Sequence, residues 1–247
     1  TTSFIESELI RTGKGEHDLS EMFTVRHNYN KRMFDNFIRR GKGNVYPGSI
    51  AHMAINVMNE FGLVPEEAYD GINYDSDKHN HTELSKYVKV LSEVTVDQKV
   101  LSPESLELQE ALFDIYLGEL PKTFSYRGKE YTPISFKEEM GLDFSDYVEL
   151  TSFTHQPFYQ AVEVEIPDNW DHQRIYNVPL DEFMETINNS LEKGYTLVWD
   201  GDCSEAGYIF SKQLCIVPQD TKMTRKELEE AVEQGIVPEQ EVDQELR

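Results

Sequence analysis

The feature that most constrains the fold is a change of hydrophobic period along the chain. Met22, Phe23, Met33, Phe34, Phe37 and Ile38 recur at helical spacing, which gathers apolar side chains onto one face of a helix. Farther on, Val162, Val164 and Ile166 alternate with Glu163 and Glu165, as in a half-buried strand whose side chains point to opposite faces. Helical segments first and strands later predict an α+β fold of two lobes.

Local punctuation divides the helical part. The first ten residues read as an amphipathic helix already under way, without an initiator Met, basic region or apolar leader, so the chain is expected to be cut at its start. Ser20 is placed to cap the next helix, and Gly41 follows its end. The turn Val45-Tyr46-Pro47-Gly48-Ser49 leads to a helix through Ile50, Ala54, Val57, Met58 and Phe61, stopped by Gly62. Thr82 is a candidate cap for a helix through Leu91, Ser102-Pro103 opens another that ends before Gly118, and a short one follows Pro133.

In the strand-bearing part, residues 147–150 resemble a second strand and residues 179–193 an amphipathic helix. Thr196-Leu197-Val198-Trp199 reads as a buried strand running into Asp200-Gly201-Asp202. A charged helix over 224–234 and an acidic stretch over 239–247 close the chain.

Charge and cysteine content exclude several classes. A net charge of -23 repels phosphate backbones and anionic membrane surfaces, which argues against nucleic-acid and membrane partners. No apolar run approaches the roughly 20 residues of a spanning helix. Two cysteines, Cys203 and Cys215, make neither a disulfide scaffold nor a four-thiolate zinc site. Arg26, Lys31, Arg32, Arg39 and Arg40 form a basic helix face, read as a solvated face balancing nearby carboxylates, with an acidic partner subunit as the alternative.

Candidate chemistry within the chain is thin. Asp75-Ser76-Asp77 opens like a calcium loop, but Asn80 stands where a Gly belongs and Lys86 where a bidentate Glu belongs. His79 and His81 lack a third ligand nearby in sequence. Asp200, Asp202 and Glu205 cluster after the expected strand and read as loop solvation. Asp202 and Glu205 flank Cys203 and make it a poor nucleophile unless His155 reaches it in space, and Cys215 in Leu214-Cys215-Ile216-Val217 reads as buried core.

Eight segments in order are similar to the bleomycin hydrolase and aminopeptidase C group of papain-like cysteine peptidases. They are Phe4-Ile5-Glu6-Ser7-Glu8-Leu9, Pro47-Gly48-Ser49-Ile50-Ala51-His52, Glu60-Phe61-Gly62-Leu63-Val64-Pro65-Glu66-Glu67-Ala68-Tyr69 and Tyr116-Leu117-Gly118-Glu119-Leu120-Pro121. Then follow Tyr131-Thr132-Pro133, Asp146-Tyr147-Val148, Tyr176-Asn177-Val178-Pro179-Leu180 and Val198-Trp199-Asp200-Gly201-Asp202. The resemblance implies a papain-like fold, with a helical lobe and helical insertion over 1–143 and part of the β-rich lobe over 144–247.

The resemblance also implies an enzyme that removes amino-terminal residues from peptides through an acyl-thioenzyme. Its nucleophilic Cys would precede Thr1, and its His and Asn would follow Arg247, so the chain alone is expected to be inactive. The family's substrate-binding Gly-Gly pair matches Gly48 and Ser49. The added Cβ of Ser49 puts its substrate role in doubt, and the alternative is that Ser49 caps the following helix. Val198 and Trp199 match a nonpolar pocket wall, with burial in the core as the alternative. A homohexamer, a peptide substrate, a cytoplasmic location and chemistry that needs no metal or organic cofactor come with the resemblance. The competing class is a noncatalytic peptide-binding or assembly module.

Overall fold

The computed structural model describes residues 1–201, 203–216 and 222–235. The chain begins with α1 (Thr2–Arg11), α2 (Glu21–Ile38), α3 (Ala51–Phe61), α4 (Thr82–Gln98) and α5 (Pro103–Leu117). A hairpin of β1 (Phe124–Tyr126) and β2 (Lys129–Tyr131) precedes α6 (Pro133–Met140). Next come β3 (Leu150–Thr151), β4 (Gln160–Glu163), β5 (Arg174–Asn177) and α7 (Leu180–Glu192). The last described elements are β6 (Tyr208–Ile209), β7 (Leu214–Cys215) and α8 (Arg225–Glu233). The architecture is α+β, as the change of period predicts. Segments 217–221 and 236–247, with the acidic end, lie outside the described residues.

Helix boundaries follow capping chemistry. Ser20 accepts from the Phe23 N–H, and Ser102 from the Ser105 N–H with Pro103 in the first turn. Thr132 and Ser135 cap α6 reciprocally, each satisfying a donor that the first turn leaves without an intrahelical partner. Helix α4 differs from expectation. Thr82 lies inside it after His81, and the helix runs past Leu91 because Leu84, Val88, Ser92 and Thr95 keep one face buried.

The main core joins α1, α2, α4, α5, the β1–β2 hairpin and α6 around Ile5, Leu9, Phe23, Leu84, Phe113 and Phe136. Burying one such large side chain contributes about 1.5–3 kcal/mol. The hairpin turns through Arg127 and Gly128, both at positive φ, as a two-residue hairpin loop favours. It sets Phe124, Tyr126 and Tyr131 around the Phe136 ring at 5.6, 5.3 and 5.2 Å.

The basic residues divide: Arg39 and Arg40 are exposed as expected, and two others are not. Arg26 and Arg32 are buried. Arg26 pairs with Glu110 and Asp114, both at 2.7 Å, and donates to the Gly118 carbonyl. Both arginines join α2 to distant segments, while Lys31 and Arg39 pair with Glu60 and Asp35.

The second sheet has the order β3-β5-β4, with β3 parallel and β4 antiparallel to β5. The expected alternation stops at Glu163. Val164 turns its carbonyl to the side chain of Asn169 at 3.0 Å and to the Ile166 N–H at 2.9 Å, so Ile166 leaves the sheet and is exposed. Within 147–150 only Leu150 is in a strand, because residues 144–146 form a 3-10 turn capped by Asp143.

Two expected core segments lie on the surface. Residues 196–199 form no strand, and Leu197 and Trp199 are exposed. A strand requires a neighbour for its backbone donors and acceptors, and the described sheet supplies none there. Helix α7 forms as expected and buries none of its side chains. Cys215, expected in the core, is exposed on β7. The small cluster beside it consists of Ile209, Ile216 and Leu228, with Leu228 from α8.

Candidate functional site

The turn between α2 and α3 projects from the surface and is held from below. Arg32, only 3% exposed, donates to the carbonyls of Tyr46 and Gly48. Its guanidinium carbon lies 5.4 Å from the Trp170 ring centroid, and burial lowers its pKa against the opposing charges of Asp168, Tyr29 and Asp171. Gly48 has φ +115°, and a Cβ there would come within 2.7 Å of an Asp168 carboxylate oxygen. The φ therefore favours glycine on conformational grounds, and the Asp168 carboxylate would have to swing aside for a Cβ.

The loop between β4 and β5 closes onto this turn. Asn44 donates to the Pro167 carbonyl at 2.6 Å, Asp168 flanks Gly48, and Asn56 donates to Gln173 at 2.9 Å. Asn169 ties the loop together through the carbonyls of Val164 and Gln173. Buried His52, near the start of α3, bridges Glu149 at 2.8 Å and Asp171 at 3.1 Å. Burial alone disfavours an imidazolium, but the hydrogen bonds and charges of Asp171 and Glu149 outweigh it, raising the His52 pKa to about 9. His52 is therefore a cation clamped by two carboxylates at neutral pH.

The structure brings the two predicted substrate segments together. Asp200 accepts from the Ala51 N–H at 2.7 Å, which sets the chain around 198–200 beside the start of α3. Gly48 and Ser49 are exposed, and Ser49 does not cap α3: the cap residue is Ile50, which makes no side-chain capping bond. The carboxylate of Asp200 serves instead, as an anion does at a helix N-terminus. Trp199, 66% exposed, meets Phe183 of α7 edge-on at 5.9 Å, and Val198 is half-buried. Trp199 and Phe183 form an apolar ledge that the Asp200–Ala51 bond tethers to the start of α3.

The remaining candidates stay apart. Cys203 is exposed, with Sγ 3.6 Å from the Gly201 carbonyl. His155 packs on Phe153, and no hydrogen bond joins it to Cys203 among the described residues. Asp200 is occupied at α3, Asp202 lies outside the described residues, and the Glu205 carbonyl accepts from Arg225. His81 is partly buried, and burial followed by the charge of His79 lowers its pKa. Among the described residues no group of three or more His, Cys, Asp or Glu is arranged to hold a metal ion, including the Asp75-Ser76-Asp77 loop. No described helix is long and apolar enough to cross a membrane.

No protein-family model and no curated protein matches the chain. Its fold is similar to that of PepW from Lactobacillus rhamnosis HN001, whose crystal structure was determined as the selenomethionine derivative. The TM-score is 0.53 at 17% identity, over 72% of this chain and 50% of PepW. The chain thus spans half the length of that protein.

Proposed function

We propose that this chain is the central, substrate-holding portion of a papain-like cysteine aminopeptidase. Residues 1–143 form its helical lobe and insertion, and residues 144–247 part of its β-rich lobe. The complete enzyme attacks the first peptide carbonyl with a thiolate, releases the shortened peptide as an amine and hydrolyses the thioester with water. The nucleophilic Cys, the His and the Asn belong outside this chain, so the chain alone is inactive. The hexamer and the cytoplasmic location are carried by the family resemblance.

One juxtaposition carries the reading: the Asp200–Ala51 bond tethers the chain just after Val198 and Trp199 to the start of α3, which follows the Gly48–Ser49 turn. The likeness to PepW supports the same scaffold. Arg32 occupies the Gly48 carbonyl, so the groups this turn offers an extended peptide are the Gly48 and Ser49 N–H and the Ser49 carbonyl. Val198 and Trp199 supply the nonpolar wall. The alternative is a noncatalytic peptide-binding or assembly module on the same scaffold. A Gln and a Cys-Trp encoded just before Thr1 would decide for the enzyme.

The test is an amide-resolved NMR titration of the chain with an unblocked tripeptide, alongside an aminoacyl-fluorophore assay. Saturable shifts at Ser49 and the Trp199 indole, without turnover, are expected. Turnover sensitive to thiol inhibitors in the 247-residue chain, or shifts that bypass the turn, would overturn the proposal.

A further inference from the structure

A cavity of about 650 Å³ opens between the first turns of α4, the end of α5 and the loop that precedes α4. Three tyrosines line it, one from each segment: Tyr74 from the loop, Tyr87 from α4 and Tyr116 from α5. The loop is fixed onto α5 through Asn73. Its N–H donates to the Tyr116 carbonyl at 3.2 Å, and its side-chain amide donates to the Asp114 carbonyl at 3.0 Å. Tyr74 is held in turn, its hydroxyl accepting from the Asn80 N–H at 2.8 Å. The rings of Tyr87 and Tyr116 stand 6.2 Å apart, inclined at 44°, and Tyr87 is 50% exposed. Glu83 lines the same cavity one turn before Tyr87. Burial, then a hydrogen bond to Glu83 and its charge, push the Tyr116 phenol up to about 12, so the hydroxyl keeps its proton at neutral pH.

Aromatic rings carry partial negative charge on their faces, so rings beside a carboxylate attract a cation, and a weakly hydrated one gives up least on leaving water. We propose that this cavity binds a free quaternary ammonium cation of the size of choline. The trimethylammonium group lies against the Tyr87 and Tyr116 rings, with Tyr74 as a third wall and the Glu83 carboxylate as counter-charge. The volume is that of a small-molecule site. A net charge of -23 draws cations to the surface and turns anions away. A neutral ligand gains nothing from the charge of Glu83. Lys86, exposed at the rim, has a flexible stem that lets its ammonium swing into water as the ligand enters. The inference uses none of the residues of the proposed peptide face and does not depend on the peptidase reading.

The test follows the tyrosine ring resonances of the whole chain by NMR, at ionic strength held constant with sodium chloride. Tyr87→Phe and Tyr116→Phe assign the signals. Choline chloride should shift those of Tyr87 and Tyr116 saturably. Neohexyl alcohol, which is choline with a carbon in place of the charged nitrogen, should bind about tenfold more weakly. Tyr87→Leu, at an exposed position of α4, should weaken choline binding about threefold and leave the alcohol nearly unchanged. Glu83→Gln should weaken choline binding as well. Unmoved signals, an alcohol that binds as tightly as choline, or a Tyr87→Leu chain that holds choline as tightly as the parent would overturn the proposal. Capture by phosphatidylcholine vesicles without binding of free choline would overturn it too, because the site would then belong to a lipid headgroup.

Discussion

The His52 clamp makes a quantitative claim on stability. In the folded chain its pKa lies at about 9 against an ordinary value of 6.5, because Glu149 and Asp171 hold the protonated ring. At about 1.4 kcal/mol per pKa unit, the raised value corresponds to about 3 kcal/mol of stability. For a group whose folded pKa is raised, that stability is fully present below 6.5, declines as pH rises and is gone above about 9. His52→Gln keeps a neutral hydrogen-bonding side chain between the carboxylates and removes the charge. The measurement is urea unfolding of both proteins, followed by tryptophan fluorescence, at about pH 6 and about pH 10. Taking the difference between the proteins cancels the titration of every group they share. The parent chain should lead by about 3 kcal/mol at the lower pH and by far less at the higher one. A lead that is equal at both, or larger at high pH, would refute the clamp.

Three further perturbations test the surroundings. His27 stacks on Phe61 at 3.9 Å, and burial, then the charge of Arg26, lowers its pKa to about 4. Its contribution is full above 6.5 and lost as pH falls through about 4. His27→Phe should therefore flatten the fall in melting temperature on acidification, and an unchanged acid limb would contradict this. Gly48→Ala should cost roughly 1–3 kcal/mol through its positive φ and the Asp168 contact. Asp168→Ala should recover only the contact part in a double-mutant cycle, and full recovery would mean the backbone is unstrained. Asp200→Ala should cost about 1 kcal/mol by uncapping α3. It should also speed proteolysis near 198–200, and a stability loss without local loosening would separate the ledge from the turn.

Much of the helical part was legible because its signals are local. The caps at Ser20 and Ser102 and the stop at Gly62 act within a turn of their own helix, and the structure uses each. The basic residues of α2 and its end divide by position: Arg39 and Arg40 are exposed as their charge suggests, whereas Arg26 and Arg32 are buried. Arg26 stands between Met22, Tyr29 and Met33 on the apolar stripe, and that spacing carried the signal for its burial. The run 196–199 misleads in the opposite sense. Its composition fits an interior strand, but burial also requires a surface to cover it, which composition does not record.

The candidate site was half legible. Gly48, Ser49, Val198 and Trp199 came through resemblance, and no local pattern linked the first pair to the second. The loop that organises them, Pro167-Asp168-Asn169-Trp170-Asp171-His172-Gln173, has the polar look of a solvated turn. In the structure its residues meet Asn44, Gly48, Arg32, His52 and Asn56. His52 and its partners are 97 and 119 residues apart. Each member alone is an unfavourable choice: a buried histidine loses solvation, and two adjacent carboxylates repel. Together they satisfy one another. A pattern whose parts are each unfavourable cannot be found by scoring residues singly, and pairwise complementarity between the α2–α3 turn and the β4–β5 loop is the signal that finds it.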